Sequence, residues 1–142
     1  CRTLDLPIAG GEAEFTKFGF RDIITKRALD IIQPEVGRCG GVTEAKKIAA
    51  IAEAFNMPNQ PHNGFSPIET AASLQMLAIV PDSPTSRSTP PPYLEIINVQ
   101  NPIRDHLLTE PFKLDDGWVS MPDRPGLGID VDREALQRFL VG

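Results

Sequence analysis

Leu29-Asp30-Ile31-Ile32-Gln33-Pro34, followed beyond Gly37 and Gly40-Gly41 by the run from Thr43 to Phe55, is the stretch on which the fold turns. The first part is an apolar run of strand length, stopped by a residue that cannot donate to a ladder. The second part changes period. Ile48, Ile51, Ala52 and Phe55 stand at i, i+3, i+4 and i+7, while Glu44, Lys46, Lys47 and Glu53 fall elsewhere, which predicts an amphipathic helix over 43–55 ending at Asn56. One strand followed by one helix is a βα unit.

The same unit recurs on both sides. Upstream, Leu6-Pro7-Ile8-Ala9 reads as a short buried strand stopped by Gly10-Gly11, and Phe20, Ile23 and Ile24 recur at helical spacing within 15–28. Downstream, Met57 to Pro61 reads as a third strand. Ser66-Pro67-Ile68-Glu69 then opens a helix with capping-box spacing and proline at the first helical position, and this helix ends before Pro81. Five prolines over 81–92 mark a loop, after which the β-branched run Tyr93-Leu94-Glu95-Ile96-Ile97-Asn98-Val99 predicts a fourth strand. The tail has another texture: a hairpin turning at Asp115-Asp116-Gly117, a Pro/Gly loop over 122–128, and a last helix with Leu136, Phe139 and Leu140 on one face. Strands near 6–9, 29–33, 57–61 and 93–98 therefore alternate with helices, the pattern of parallel βα units. A closed eight-unit barrel typically needs about 250 residues. Four units cannot close one, so the expectation is either a small open α/β sheet or the C-terminal portion of a larger (β/α) barrel, plus a C-terminal hairpin and helix.

Composition narrows the function classes. The chain has 142 residues, 14 Lys+Arg against 19 Asp+Glu, and a formal charge of -5, which argues against an electrostatic grip on nucleic acid. No apolar run approaches the ~20 residues of a membrane span, and Cys1-Arg2-Thr3-Leu4-Asp5 is no signal peptide. Cys1 and Cys39 make no disulfide framework, so a reducing cytoplasm is the expected location, and the absent initiator Met suggests a chain that begins inside a longer polypeptide.

In parallel α/β folds, residues just beyond the strands' C-terminal ends converge on one face, where ligands bind. Glu12, Glu35, His62 and Glu95 occupy such places after four successive strands. Several other residues have plainer explanations. Glu69 completes the capping box, Glu14 lies off the Gly-Gly turn, Cys39 is a small loop residue, His106 sits on a surface helix, and Trp118 packs the hairpin. Gly40-Gly41 precedes a helix without a fuller phosphate motif, and none follows the first strand, which disfavours a small flavodoxin-like module.

Gly10-Gly11-Glu12, Asp30-Ile31-Ile32-Gln33-Pro34-Glu35, Gly40-Gly41-Val42-Thr43-Glu44-Ala45-Lys46-Lys47-Ile48-Ala49, Pro61-His62-Asn63-Gly64, and the ending from Gly117-Trp118-Val119 to Pro125-Gly126-Leu127-Gly128-Ile129 occur in this order. Together they resemble the C-terminal half of the enolase superfamily's mandelate racemase/muconate lactonizing branch, nearest to its acid-sugar dehydratases. The resemblance implies a Mg²⁺-dependent enzyme that removes the proton α to a sugar-acid carboxylate and passes through an enediolate. It implies that Glu12 is a metal ligand, that His62 is the catalytic acid or base, that Glu35 orients His62, and that Glu95 hydrogen-bonds the substrate carboxylate. Glu35 departs from the family, which usually has Asp there. The capping domain and the first barrel half, with the other metal ligands and the Lys base, are not in residues 1–142. From this follow three expectations: the isolated chain is inactive, it pairs with the missing half or with another copy, and the parent enzyme is a homo-oligomer. Racemases, epimerases and cycloisomerases share the enediolate and stay open, as does a noncatalytic half-barrel that associates with a complementary chain.

Overall fold

In the computed structural model, which describes residues 5–80 and 93–140, the N-terminal strand pairs with the one that follows it across a helix. β1 (Ala9–Gly10) and β2 (Ile31–Ile32) run parallel, with Ala9 opposite Ile31 and Gly10 opposite Ile32. The Ile8 carbonyl accepts from the N–H of Asp30 and of Ile31, and Gln33 N–H donates to the Gly10 carbonyl, so pairing reaches past the two formal strand residues at both ends. Between the strands, α1 (Thr16–Thr25) buries Phe20 and Ile24, as their spacing predicts.

A single turn, α2 (Val36–Cys39), follows β2 and was not expected from the sequence. It takes Cys39 out of a loop and into the core, fully buried. α3 (Gly41–Ala54) begins two residues earlier than its periodicity suggests and buries Ala45, Ile48 and Ala52, while Asn56 at φ 50 turns the chain out of the helix. The expected third strand is present as parallel rungs. Ile32 N–H donates to Pro58 O at 3.0 Å, Gln60 N–H to Ile32 O at 2.9 Å, and isolated bridges join Ile32 with Asn59 and Glu35 with His62. Pro34 faces the third strand between these bridges and carries no N–H to donate, which is why the ladder is interrupted rather than continuous. α4 (Pro67–Leu77) starts where expected, with Ser66 Oγ accepting from Glu69 N–H. The expected loop over 81–92 lies outside the described residues.

The strand expected over 93–98 is not formed. These residues run irregularly and are mostly exposed. Side-chain amides take the place of ladder rungs: Gln60 Oε1 accepts from Tyr93 N–H, and Asn63 Nδ2 donates to Glu95 O, both at 2.8 Å. β-branched residues favour a strand only where a partner ladder and packing are supplied, and none lies along the outer side of 93–98 among the described residues.

The tail forms α5 (Pro102–His106), the antiparallel pair β3 (Leu114–Asp115) and β4 (Trp118–Val119), and α6 (Arg133–Arg138). Asp116 and Gly117 both have positive φ, 46° and 83°, the backbone of a tight two-residue hairpin turn. Two expectations fail here. Trp118 is 77% exposed and packs against little, and α6 buries Ala135 while Leu136 and Leu140 stay exposed. His106 is exposed on α5, as anticipated. The core lies on one face of the parallel rungs, where Ile32 and Met57 meet Phe20 and Ile24 of α1, Ile48 and Ala52 of α3, and Met76 of α4. The opposite edges of the rungs end in the site.

Candidate active site

β1 ends at Gly10, and Gly11 then adopts φ 104, where a side chain would be strained and a Cβ would lie 3.1 Å from the Phe20 ring. That turn delivers Glu12 beyond the strand end. β2 and the third rung end alike, in Gln33-Pro34-Glu35 and Gln60-Pro61-His62, with both prolines buried. Glu35 and His62 face each other across the parallel bridge, so each side chain leaves its strand in the same direction. Glu35 is the residue before the first turn of α2, yet its carboxylate makes no cap bond. It turns to the histidine instead.

His62 Nδ1 and Glu35 Oε2 share a hydrogen bond of 2.5 Å, and the two side chains are 17% and 2% exposed. On the other side of the ring, Nε2 lies 3.8 Å from Glu12 Oε2 and 4.0 Å from Glu95 Oε2, both on exposed side chains. The three carboxylates singled out in the sequence are therefore within 4.0 Å of the His62 imidazole, although the segment carrying Glu95 is not a strand. Tying Nδ1 to a buried carboxylate fixes the tautomer and leaves Nε2 to exchange a proton with whatever occupies the space between Glu12 and Glu95. The Glu35 carboxyl is pushed up from 4.5 to about 7, first by burial, then by a hydrogen bond and charge repulsion from Glu69, with His62 acting in the opposite sense.

Three further residues shape the site and were passed over in the sequence. Asn63, buried, donates from Nδ2 to Glu95 O and accepts from Thr70 Oγ1 at 3.2 Å, tying Glu95 to α4. Gly64 leaves room for the imidazole, because a Cβ there would lie 2.9 Å from His62 Cε1. Asn63-Gly64 reads locally as a turn, and no sequence signal distinguishes this use of it. The third is Glu69, whose carboxylate reaches away from its own helix. Glu14, by contrast, accepts from Phe15 N–H at 2.9 Å at the start of α1, consistent with its plain reading. A cavity of about 280 Å³ adjoins Asn63, Gly64, Ile97, Arg104 and Phe112, but none of the four singled-out side chains lines it. Among the described residues no group of three or more His, Cys, Asp or Glu is arranged to hold a metal ion. Glu12 offers one hard carboxylate donor. No helix among these residues is long and apolar enough to cross a membrane.

Residues 1–135 match the family described as enolase C-terminal domain-like. The chain is 36% identical over 134 residues to the D-galactarolactone cycloisomerase of Agrobacterium fabrum, covering 94% of this chain and 35% of that protein. It is 36% identical over 135 residues to the D-xylonate dehydratase of Haloferax volcanii, covering 95% of this chain and 31% of that one. The crystal structure of the 3,6-anhydro-D-galactonate cycloisomerase from Zobellia galactanivorans superimposes with a TM-score of 0.86 at 34% identity, over 99% of this chain and 38% of the other. The chain thus spans about a third of the length of the proteins it matches.

Proposed function

The chain belongs to the enolase C-terminal domain-like family, a portion of a TIM-type barrel, and on that premise we propose that residues 1–142 supply the general acid–base side of an acid-sugar dehydratase. In this reading the chain contributes four βα units, with 93–98 gaining its ladder when the first barrel half lies beside it. The observation that carries the reading is the 2.5 Å hydrogen bond between His62 and Glu35, with the free Nε2 aimed between Glu12 and Glu95.

Each side chain then has a task. Glu35 holds Nδ1–H and stabilises the imidazolium whenever Nε2 carries a proton. A sugar acid loses its α-proton to a base, and the electron pair passes into the carboxylate to give an enediolate. Collapse of the enediolate breaks the β C–O bond, and the proton on His62 Nε2 goes to the departing hydroxide, which leaves as water. The resulting enol tautomerises to a 2-keto acid. Glu95 stands to hydrogen-bond the substrate carboxylate as its charge builds. Enolase-superfamily members generally bind Mg²⁺, which when bound supplies charge neutralisation at the carboxylate oxygens. Among the described residues, Glu12 is the one ligand in this reading. On their own these residues do not hold the ion.

The test is made on the complete enzyme. His62→Asn keeps substrate binding and loses most turnover on a panel of aldonates and aldarates that includes xylonate. Wild-type turnover in that variant removes His62 from the mechanism. A cycloisomerase is the second reading, favoured by two of the similar proteins. Product mass separates the two, since a dehydratase product lacks one water and a cycloisomerase product is isomeric with its substrate.

A further inference from the structure

Glu69 lies in the first turn of α4 and is more than nine-tenths buried. Its N–H donates to Ser66 Oγ at 3.2 Å, half of a capping box, but the return bond to the Ser66 backbone is not made. Instead, Glu69 Oε2 accepts from Phe65 N–H and Oε1 accepts from Gly37 N–H, each at 3.2 Å. Gly37 follows Glu35 by two residues, and Phe65 follows His62 by three. One buried carboxylate is thus bonded to both backbone segments that carry the dyad. A Cβ at position 37 would lie 3.0 Å from Glu69 Oε1, so the glycine is what lets the carboxylate reach its N–H. A helix start needs none of these bonds beyond the Ser66 cap.

We propose that Glu69 is a positioning residue for the dyad: it clamps the turn after Glu35 to the turn after His62 and aims the Glu35 carboxyl at Nδ1. The catalytic meaning rests on the dehydratase reading, whereas the geometry is tested apart from activity. The chain contains two histidines, and His106, exposed on α5, serves as the internal reference. In ¹⁵N-histidine-labelled chain, the short Nδ1–H bond places the His62 ring proton far downfield and slows its exchange with water.

Glu69→Ala removes the clamp. Glu69→Gln keeps its length and one oxygen acceptor, and Ser66→Ala removes the cap while leaving the carboxylate. The expected result is loss of the His62 ring-NH resonance in Glu69→Ala, rescue at a shifted position in Glu69→Gln, and little change in Ser66→Ala, with His106 constant throughout. An unmoved resonance in folded Glu69→Ala overturns the proposal, as does equal loss in Ser66→Ala, which would make the helix start responsible. If Glu69→Ala does not fold, as judged by amide dispersion, an unshifted resonance in Glu69→Gln overturns it instead. Absence of the resonance from the unsubstituted chain sinks the dyad, and the clamp with it, a result distinct from failure in the variants alone.

Discussion

Glu35→Gln should change how stability depends on pH, and the structure fixes the sign. The Glu35 carboxyl sits at about 7 when folded against 4.5 ordinarily, so between those values the folded chain holds a proton that the unfolded chain has released. Its stabilising contribution is therefore fully present below 4.5 and lost as pH rises through about 7. With the sequence pI at about 5.0, melts are best begun slightly above it. From about pH 5.5 to 8.5 the loss is roughly 2 kcal/mol at about 1.4 kcal/mol per pH unit. At a typical urea slope of about 2 kcal/mol per molar, the midpoint falls by roughly 1 M. Glutamine keeps the size, offers His62 an acceptor and Glu69 a donor, and carries no proton to lose. The difference between wild-type and variant urea profiles thus reports this carboxyl together with the Glu69 and His62 groups coupled to it, and it should change by that amount across the window. Parallel profiles would refute the reasoning. Glu69→Gln should reduce the slope without abolishing it, because burial is the largest cause of the shift and remains.

Gly64→Ala should push the imidazole off the line to Glu35, since the new methyl would lie 2.9 Å from His62 Cε1 and 3.1 Å from Ile97 Cδ1. A displacement near 1 Å costs on the order of 10²-fold in kcat of the complete enzyme, with thermal stability lowered modestly; unchanged kcat would show that the ring has room. Glu44→Gln should lower the melting temperature at neutral pH, because Glu44 accepts from Lys17 N–H at 3.0 Å and pairs with the Lys17 and Lys47 ammonium groups, joining α1 to α3. The Lys17 N–H, more than any other cause, holds the Glu44 carboxyl down at about 2, so its contribution is present above 4.5 and lost as pH falls through about 2. The gap between wild type and variant, followed by circular dichroism, should shrink towards that pH, and a constant gap would contradict the assignment.

The parts of this site legible in the sequence are those governed by one chain segment at a time. Glu35 and His62 each stand just past a strand-like run, which makes them legible as residues of one face, while their pairing is what the resemblance to the enolase superfamily implies. Glu12 follows from a turn that requires glycine at position 11. What the pattern misplaced depends on partners distant in the chain. Residues 93–98 have strand composition, but side-chain amides of Gln60 and Asn63 hold them where a ladder was expected. Glu69 had a sufficient local explanation in the capping box, which concealed its bonds to positions 37 and 65. Leu136 and Leu140 show helical spacing, yet the small Ala135 is the residue α6 buries.

Asn63 also sets a limit in time. Its amide nitrogen gives the hydrogen bond that keeps the Glu95 backbone beside His62, and the next residue is Gly64, whose bare backbone N–H makes Asn-Gly the sequence most open to cyclisation and hydrolysis to aspartate. An aspartate there has no hydrogen to give. Two oxygens would face each other across 2.8 Å, and a new negative charge would arise beside the segment that carries Glu95. Burial of Asn63, and the bond its oxygen accepts from Thr70, hold the amide away from the geometry that cyclisation needs. The durability of the site in stored or heated protein is therefore governed by how tightly Thr70 and α4 grip one side chain.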